Sequence, residues 1–116
     1  TNSNVRNNAG VVKMWSAFKN EMVEVGTKAG MVMGDFSKTG INTTIHTGTI
    51  IGLGCSIHTT AIPEKHVLSF SWGPGAKYEL EKLIAHINAW YTFKGYEADK
   101  RMEDLLGILY KSQFTP

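Results

Sequence analysis

From Met33 onward the alternation of apolar and small residues has a period of six. Written in sixes, the chain reads MGDFSK, TGINTT, IHTGTI, IGLGCS, IHTTAI, with Met33, Thr39, Ile45, Ile51 and Ile57 in first place. The fifth place holds Ser37, Thr43, Thr49, Cys55 and Ala61, all small, and the second holds Gly34, Gly40 and Gly52, with His46 and His58 in the other two. Strands repeat every two residues and helices every 3.6 or so, so a period of six points to a repeat architecture. The expected unit is a coil of three short strands, one per hexad, which stacks Met33 on Ile51 and Thr39 on Ile57. Bulky first-place side chains fill the interior, small fifth-place ones fit beside them, and Gly suits a corner that a side chain would crowd. The β-branched run Thr43, Thr44, Ile45, Ile50 and Ile51 would also suit an ordinary hairpin, but five hexads in one register favour the coil. The fold class expected is mainly β, a left-handed parallel β-helix over residues 1–62 with an irregular β excursion around 14–30, where VVKMW and EMVEVG read as strands.

Pro63 stops the hexads by removing a backbone donor. Residues 63–76 are too rich in Gly and Pro for a helix and are expected to lie as an ordered strap. Leu68, Phe70 and Trp72 would bury on one face of it, and Ser69 and Ser71 would meet water. From 77 to 116 the period turns helical. Leu80, Leu83, Ile84, Ile87, Trp90 and Tyr91 form one stripe that ends at Gly95. A second helix from about Glu97 carries Met102, Leu105, Leu106, Leu109 and Tyr110. A helical hairpin capping the end of the coil is the expectation.

Twelve Lys and Arg against ten acidic residues give a formal charge of +2, too small for a nucleic-acid or anionic-membrane footprint. No apolar run is long enough for a spanning helix, and no basic-then-apolar leader opens the chain. A single cysteine, Cys55, excludes an internal disulfide and fits a reducing compartment, so the cytoplasm is expected. The opening TNSNVRNNAG begins at Thr1 rather than Met, and further chain is expected to precede it. Gly52-Leu53-Gly54 lacks the third glycine and following helix of a dinucleotide loop.

Residues 34–52, GDFSKTGINTTIHTGTIIG, with GCSIHTT and then PEKHVLSFSWG at 63–73, resemble the C-terminal region of GlmU-like sugar-phosphate nucleotidyltransferases. The opening TNSNVRNN is similar to the Asn-containing loop of their bifunctional relatives, and the likeness covers about residues 1–75. The resemblance implies a trimeric, acyltransferase-like β-helix joined to an N-terminal half that couples a sugar 1-phosphate to a nucleoside triphosphate with Mg²⁺. By position Asn4 matches the loop Asn, and Lys13 matches a lysine that contacts the phosphorylated sugar. Val5 stands where those relatives carry Tyr, which bears on acetyl transfer to the same aminosugar phosphate. The acyl-transfer histidine would lie upstream of Thr1. On this reading the chain is a C-terminal fragment with no turnover of its own, no cofactor of its own beyond acetyl-CoA, and Mg²⁺ only in the other half. Its partners would be sugar phosphate, nucleotide or acyl-CoA in the parent, with a homotrimer and neither nucleic acid nor membrane.

Acyl transfer from a CoA thioester needs a general base within hydrogen-bond reach of the nucleophile and a donor for the developing oxyanion. His46 is the candidate base, with His58 behind it, against a structural or solvent-facing role for each. Asn4, Arg6, Lys13 and Lys38 are the candidates for holding sugar phosphate or CoA, against plain solvated charge. No metal site is expected, because His46 and His58 fall on different faces of a coil. Two alternatives stand beside the fragment reading: a stand-alone hexapeptide-repeat acyltransferase, and a non-catalytic trimerisation domain.

Overall fold

Gly30, Phe36, Asn42, Gly48 and Gly54 turn the backbone through the left-handed region, with φ of 64°, 60°, 58°, 84° and 64°, one turn every six residues. Glycine and asparagine tolerate that conformation, whereas at Phe36 the β-carbon is crowded. The computed structural model describes residues 3–6, 10–59 and 62–114, and the chain divides into two units, Thr1–Lys77 and Tyr78–Pro116.

The first unit is built of short strands, and the second of two helices. In chain order the strands are β1 (Ser3–Arg6), β2 (Val12–Ser16), β3 (Glu21–Gly26), β4 (Met31–Met33), β5 (Lys38–Thr39) and β6 (Thr43–His46). They continue with β7 (Thr49–Ile51), β8 (Ser56–Ile57), β9 (His66–Val67), β10 (Ser71–Trp72) and β11 (Ala76–Lys77). Sheets are mixed. Three ladders are parallel, β1–β6, β4–β7–β9 and β5–β8–β10, while β2 pairs β3 and β11 pairs β10 antiparallel.

In two ladders the register follows the 18-residue spacing of the hexads: Met33 pairs Ile51, and Lys38 and Thr39 pair Ser56 and Ile57. In the next step of each ladder the spacing shortens to 16, Ile51 to Val67 and Ser56 to Trp72. The shortening therefore falls between Ser56 and His66, the stretch that holds Pro63.

First-place Ile45, Ile51 and Ile57 and fifth-place Thr43, Thr49 and Cys55 are buried, and the apolar ones form one cluster with Met31 and Val67 against it. The fifth place is small and polar for a second reason. Thr43 Oγ1 donates to the Gly40 carbonyl at 2.8 Å and Thr49 Oγ1 to His46 at 2.7 Å, and beyond the hexads Ser71 Oγ does the same to Leu68 at 2.6 Å, each three residues back. Each hydroxyl thus satisfies a carbonyl exposed by the turn. Met33 departs from the pattern. It is 38% exposed, and its ladder partner Ile51 covers it from one side only. Ala61 lies outside the described residues.

The corner glycines need a correction. The left-handed turns sit in fourth place, two residues beyond Gly34, Gly40 and Gly52. Gly34 and Gly52 are required instead by close approach: a Cβ on Gly34 would lie 2.7 Å from the Gly52 carbonyl carbon, and one on Gly52 2.4 Å from Ser69 Oγ.

The excursion around 14–30 is an antiparallel hairpin, β2–β3, with a register shift between Val12 and Lys13. Residues 63–76 are not a strap alone, because β9 and β10 extend two parallel ladders. Nor do their faces alternate: Phe70 is buried, but Leu68 is exposed and Trp72 half-buried. Phe70 itself takes φ 62°, and that turn breaks the period of two.

In the second unit α1 spans Leu80–Phe93 and α2 spans Lys100–Phe114. Gly95, at φ 79°, ends α1, and the Tyr96 N–H returns to the Tyr91 carbonyl at 2.7 Å. The second helix begins three residues after Glu97, because Asp99 Oδ1 accepts the Arg101 and Met102 N–H groups at 3.0 and 3.3 Å and caps it. Asn88 Nδ2 donates to Glu103 Oε1 at 3.1 Å and links the pair. Leu83, Ile87 and Leu106 are buried, while Trp90, Leu105 and Leu109 of the expected stripes are exposed. No helix of the described residues is long and apolar enough to cross a membrane.

Candidate functional site

Parallel pairing of β1 with β6 sets Arg6 in register with His46 and Asn4 with Thr44. Asn4, matched by resemblance to a loop residue, thus lies in a strand. Arg6 and Asn4 are exposed and His46 is half-buried. The strand ends there, since the Thr47 N–H donates to the Arg6 carbonyl at 2.7 Å and the His46 carbonyl accepts Thr49 Oγ1. His46 Nδ1 is buried and has no hydrogen-bond partner. That nitrogen is closed to an incoming group, whereas the exposed guanidinium of Arg6 on the adjacent strand can receive an anion.

Lys13 and Lys38 go elsewhere. Lys13 is exposed on the hairpin, and its carbonyl accepts Lys65 Nζ at 3.0 Å. Two residues on, Trp15 stacks on His66 with ring centroids 4.5 Å apart and planes 14° from parallel, which pins the hairpin to β9. The hairpin backbone also passes close over Gly48, where a Cβ would lie 2.8 Å from the Lys13 carbonyl oxygen.

Lys38 belongs to a second constellation. It is in register with Ser56, and Ser56 with Trp72, so the three side chains leave one face of the β5–β8–β10 ladder. Lys38 Nζ sits 5.8 Å from the Trp72 ring centroid, a cation over an aromatic face. The Ser56 hydroxyl, buried beneath this row, bonds His58 Nδ1 at 3.1 Å. The His58 ring meets Trp72 edge-on, with centroids 4.8 Å apart. Gly73, at φ 57°, borders the ring: a Cβ there would come 2.6 Å from His58 Nε2.

No family model, no curated protein and no solved structure matches this chain.

His46 and His58 lie on different ladders, and among the described residues no group of three His, Cys, Asp or Glu side chains is placed to hold a metal ion. Cys55 is no nucleophile. It is fully buried, its thiol meets the Leu68 carbonyl at 3.2 Å, and burial holds its pKa above the ordinary 9.0. In the second unit the buried Tyr78 hydroxyl bonds His86 Nδ1 within a closely packed ring pair.

The hexads carry part of the second constellation, because Lys38 and Ser56 both stand in sixth place and His58 follows two residues later. Trp72 could not be added by counting, since it joins through the shortened 16-residue step.

Proposed function

We propose that this chain is the acyltransferase-like portion of a sugar-phosphate nucleotidyltransferase, a left-handed hexapeptide-repeat β-helix whose first task is assembly into a homotrimer. The observation that carries this reading is the six-residue recurrence of left-handed turns from Gly30 to Gly54, joined to the 18-residue parallel register. Three strands per coil is the closed form in which both recur together. Supporting assembly are apolar side chains on the outside of the ladders, Ile41 at 72% and Leu68 at 60% exposed, which a cyclic partner would cover.

Two measurements test it. Light scattering is expected to give three chains per particle. The gene product that contains this sequence is expected to release pyrophosphate from a nucleoside triphosphate only when a sugar 1-phosphate is present. A monomer, or pyrophosphate release indifferent to every sugar phosphate offered, overturns the corresponding half.

A second reading rests on His46. In-register strands set its imidazole and the Arg6 guanidinium side by side, the two residue types that acyl transfer needs as a base and an anion-binding donor. Saturable acetyl transfer from acetyl-CoA to an aminosugar phosphate, lost in His46→Ala, would favour a self-sufficient acyltransferase. Negligible transfer is the expected result.

A further inference from the structure

We propose that the face of the β5–β8–β10 ladder carrying Lys38, His58 and Trp72 binds a phosphate monoester, held between the Lys38 ammonium and the His58 imidazole against the Trp72 indole. The inference stands on this geometry alone and does not depend on the nucleotidyltransferase reading.

A solvent-facing imidazole normally turns freely, but here a buried hydroxyl fixes it. Ser56 Oγ engages Nδ1 at 3.1 Å, and with Ser56 as the donor the ring proton sits on Nε2, which is then a hydrogen-bond donor. Trp72 flanks the same ring edge-on, so orientation is set from two sides. Gly73 lets the backbone lie against the ring, because a β-carbon there would stand 2.6 Å from Nε2. On the neighbouring strand segment Gly40 also brings no side chain against the root of His58, where a Cβ would lie 3.8 Å from the His58 β-carbon. The result is an imidazole on an exposed residue held in place by Ser56, Trp72 and Gly73.

The positive charge comes from the neighbouring strand. Lys38 is the in-register partner of Ser56, and its ammonium already lies over the indole. A ligand reaching both donors needs several acceptor oxygens on one centre and enough charge to displace water. A phosphate monoester offers three such oxygens and close to two charges at neutral pH. The indole supplies an apolar wall for whatever the phosphate is esterified to.

Proton–carbon correlation spectra of the ring protons of His46, His58, His66 and His86 read this site directly, with the His66 and His86 rings as controls. Inorganic phosphate, glucose 1-phosphate, AMP and acetate are titrated at constant ionic strength. His58 is expected to shift saturably with the three phosphates, and Lys38→Met to weaken that binding about tenfold, the loss of one charge-assisted hydrogen bond. Lys38→Arg should retain it, and this variant separates loss of charge from loss of fold. Tighter binding of glucose 1-phosphate than of AMP would identify a sugar phosphate as the ligand, and the reverse a nucleotide. Equal affinity for all three would make the phosphate the whole recognition element. A still His58 ring, equal displacement by acetate, or all four rings moving together overturns the proposal.

Discussion

The Ser37 hydroxyl accepts the Cys55 N–H at 3.0 Å while donating to the Gly52 carbonyl at 2.7 Å, so one side chain serves two backbone groups of the neighbouring strand segment. Ser37→Ala leaves both without that partner in a half-buried place. A loss of about 1–3 kcal/mol is expected, read as a lower midpoint in urea denaturation with an unchanged slope. An unchanged midpoint would mean that water replaces the hydroxyl.

Gly34→Ala and Gly40→Ala are expected to part company. At Gly34 the new methyl would meet backbone atoms of Gly52 and Leu53 at 2.7–2.8 Å, which cannot swing away. At Gly40 the nearest atom is the Ile57 carbonyl oxygen at an ordinary 3.5 Å. The first substitution should cost about 1–3 kcal/mol as overpacking, and the second should cost less than the first. Thermal melts of the two variants side by side check this.

Cys55 ties stability to alkaline pH. Its folded pKa is raised by burial above the ordinary 9.0, so the neutral thiol is the form the fold favours. That contribution is full below 9.0 and declines as pH rises from there through the folded value. Denaturation midpoints should hold through neutral pH and fall beyond it, and the fall should be smaller in Cys55→Ala. Below the threshold, a thiol reagent should label the native chain only on unfolding.

The Trp15–His66 stack holds the β2–β3 hairpin, whose residues are otherwise mostly exposed. His66→Ala should release about 0.5–1.5 kcal/mol of local stability. Hydrogen exchange should accelerate across Val12–Gly26 and leave Thr49–Ile51 unaffected. Equal acceleration in both would show that the hairpin is part of the core's cooperative unit.

Asp99→Ala removes the cap of α2 and exposes two N–H groups that Asp99 Oδ1 now accepts. About 1 kcal/mol should be lost from the helical unit, visible as a reduced helical signal on heating.

The amino-acid order by itself determined the local periods. Six-residue recurrence placed Ile45, Ile51 and Ile57 inside with Thr43, Thr49 and Cys55 beside them, and it gave the register of Met33 with Ile51 and of Thr39 with Ile57. Helical stripes placed both helices to within a few residues. These succeed because a repeat makes the distant partner of each residue a matter of counting. Where counting broke, the sequence was silent. Which ladder takes up β9 and β10 depends on a two-residue shortening near Pro63, and the Arg6–His46 pairing spans the whole hairpin excursion. The fourth-place turns were hidden because Phe36 and Asn42 carry no glycine signature. Only the tertiary structure added Trp72 to Lys38, Ser56 and His58, since it reaches Ser56 through the shortened 16-residue step and no local propensity encodes a partner at that range.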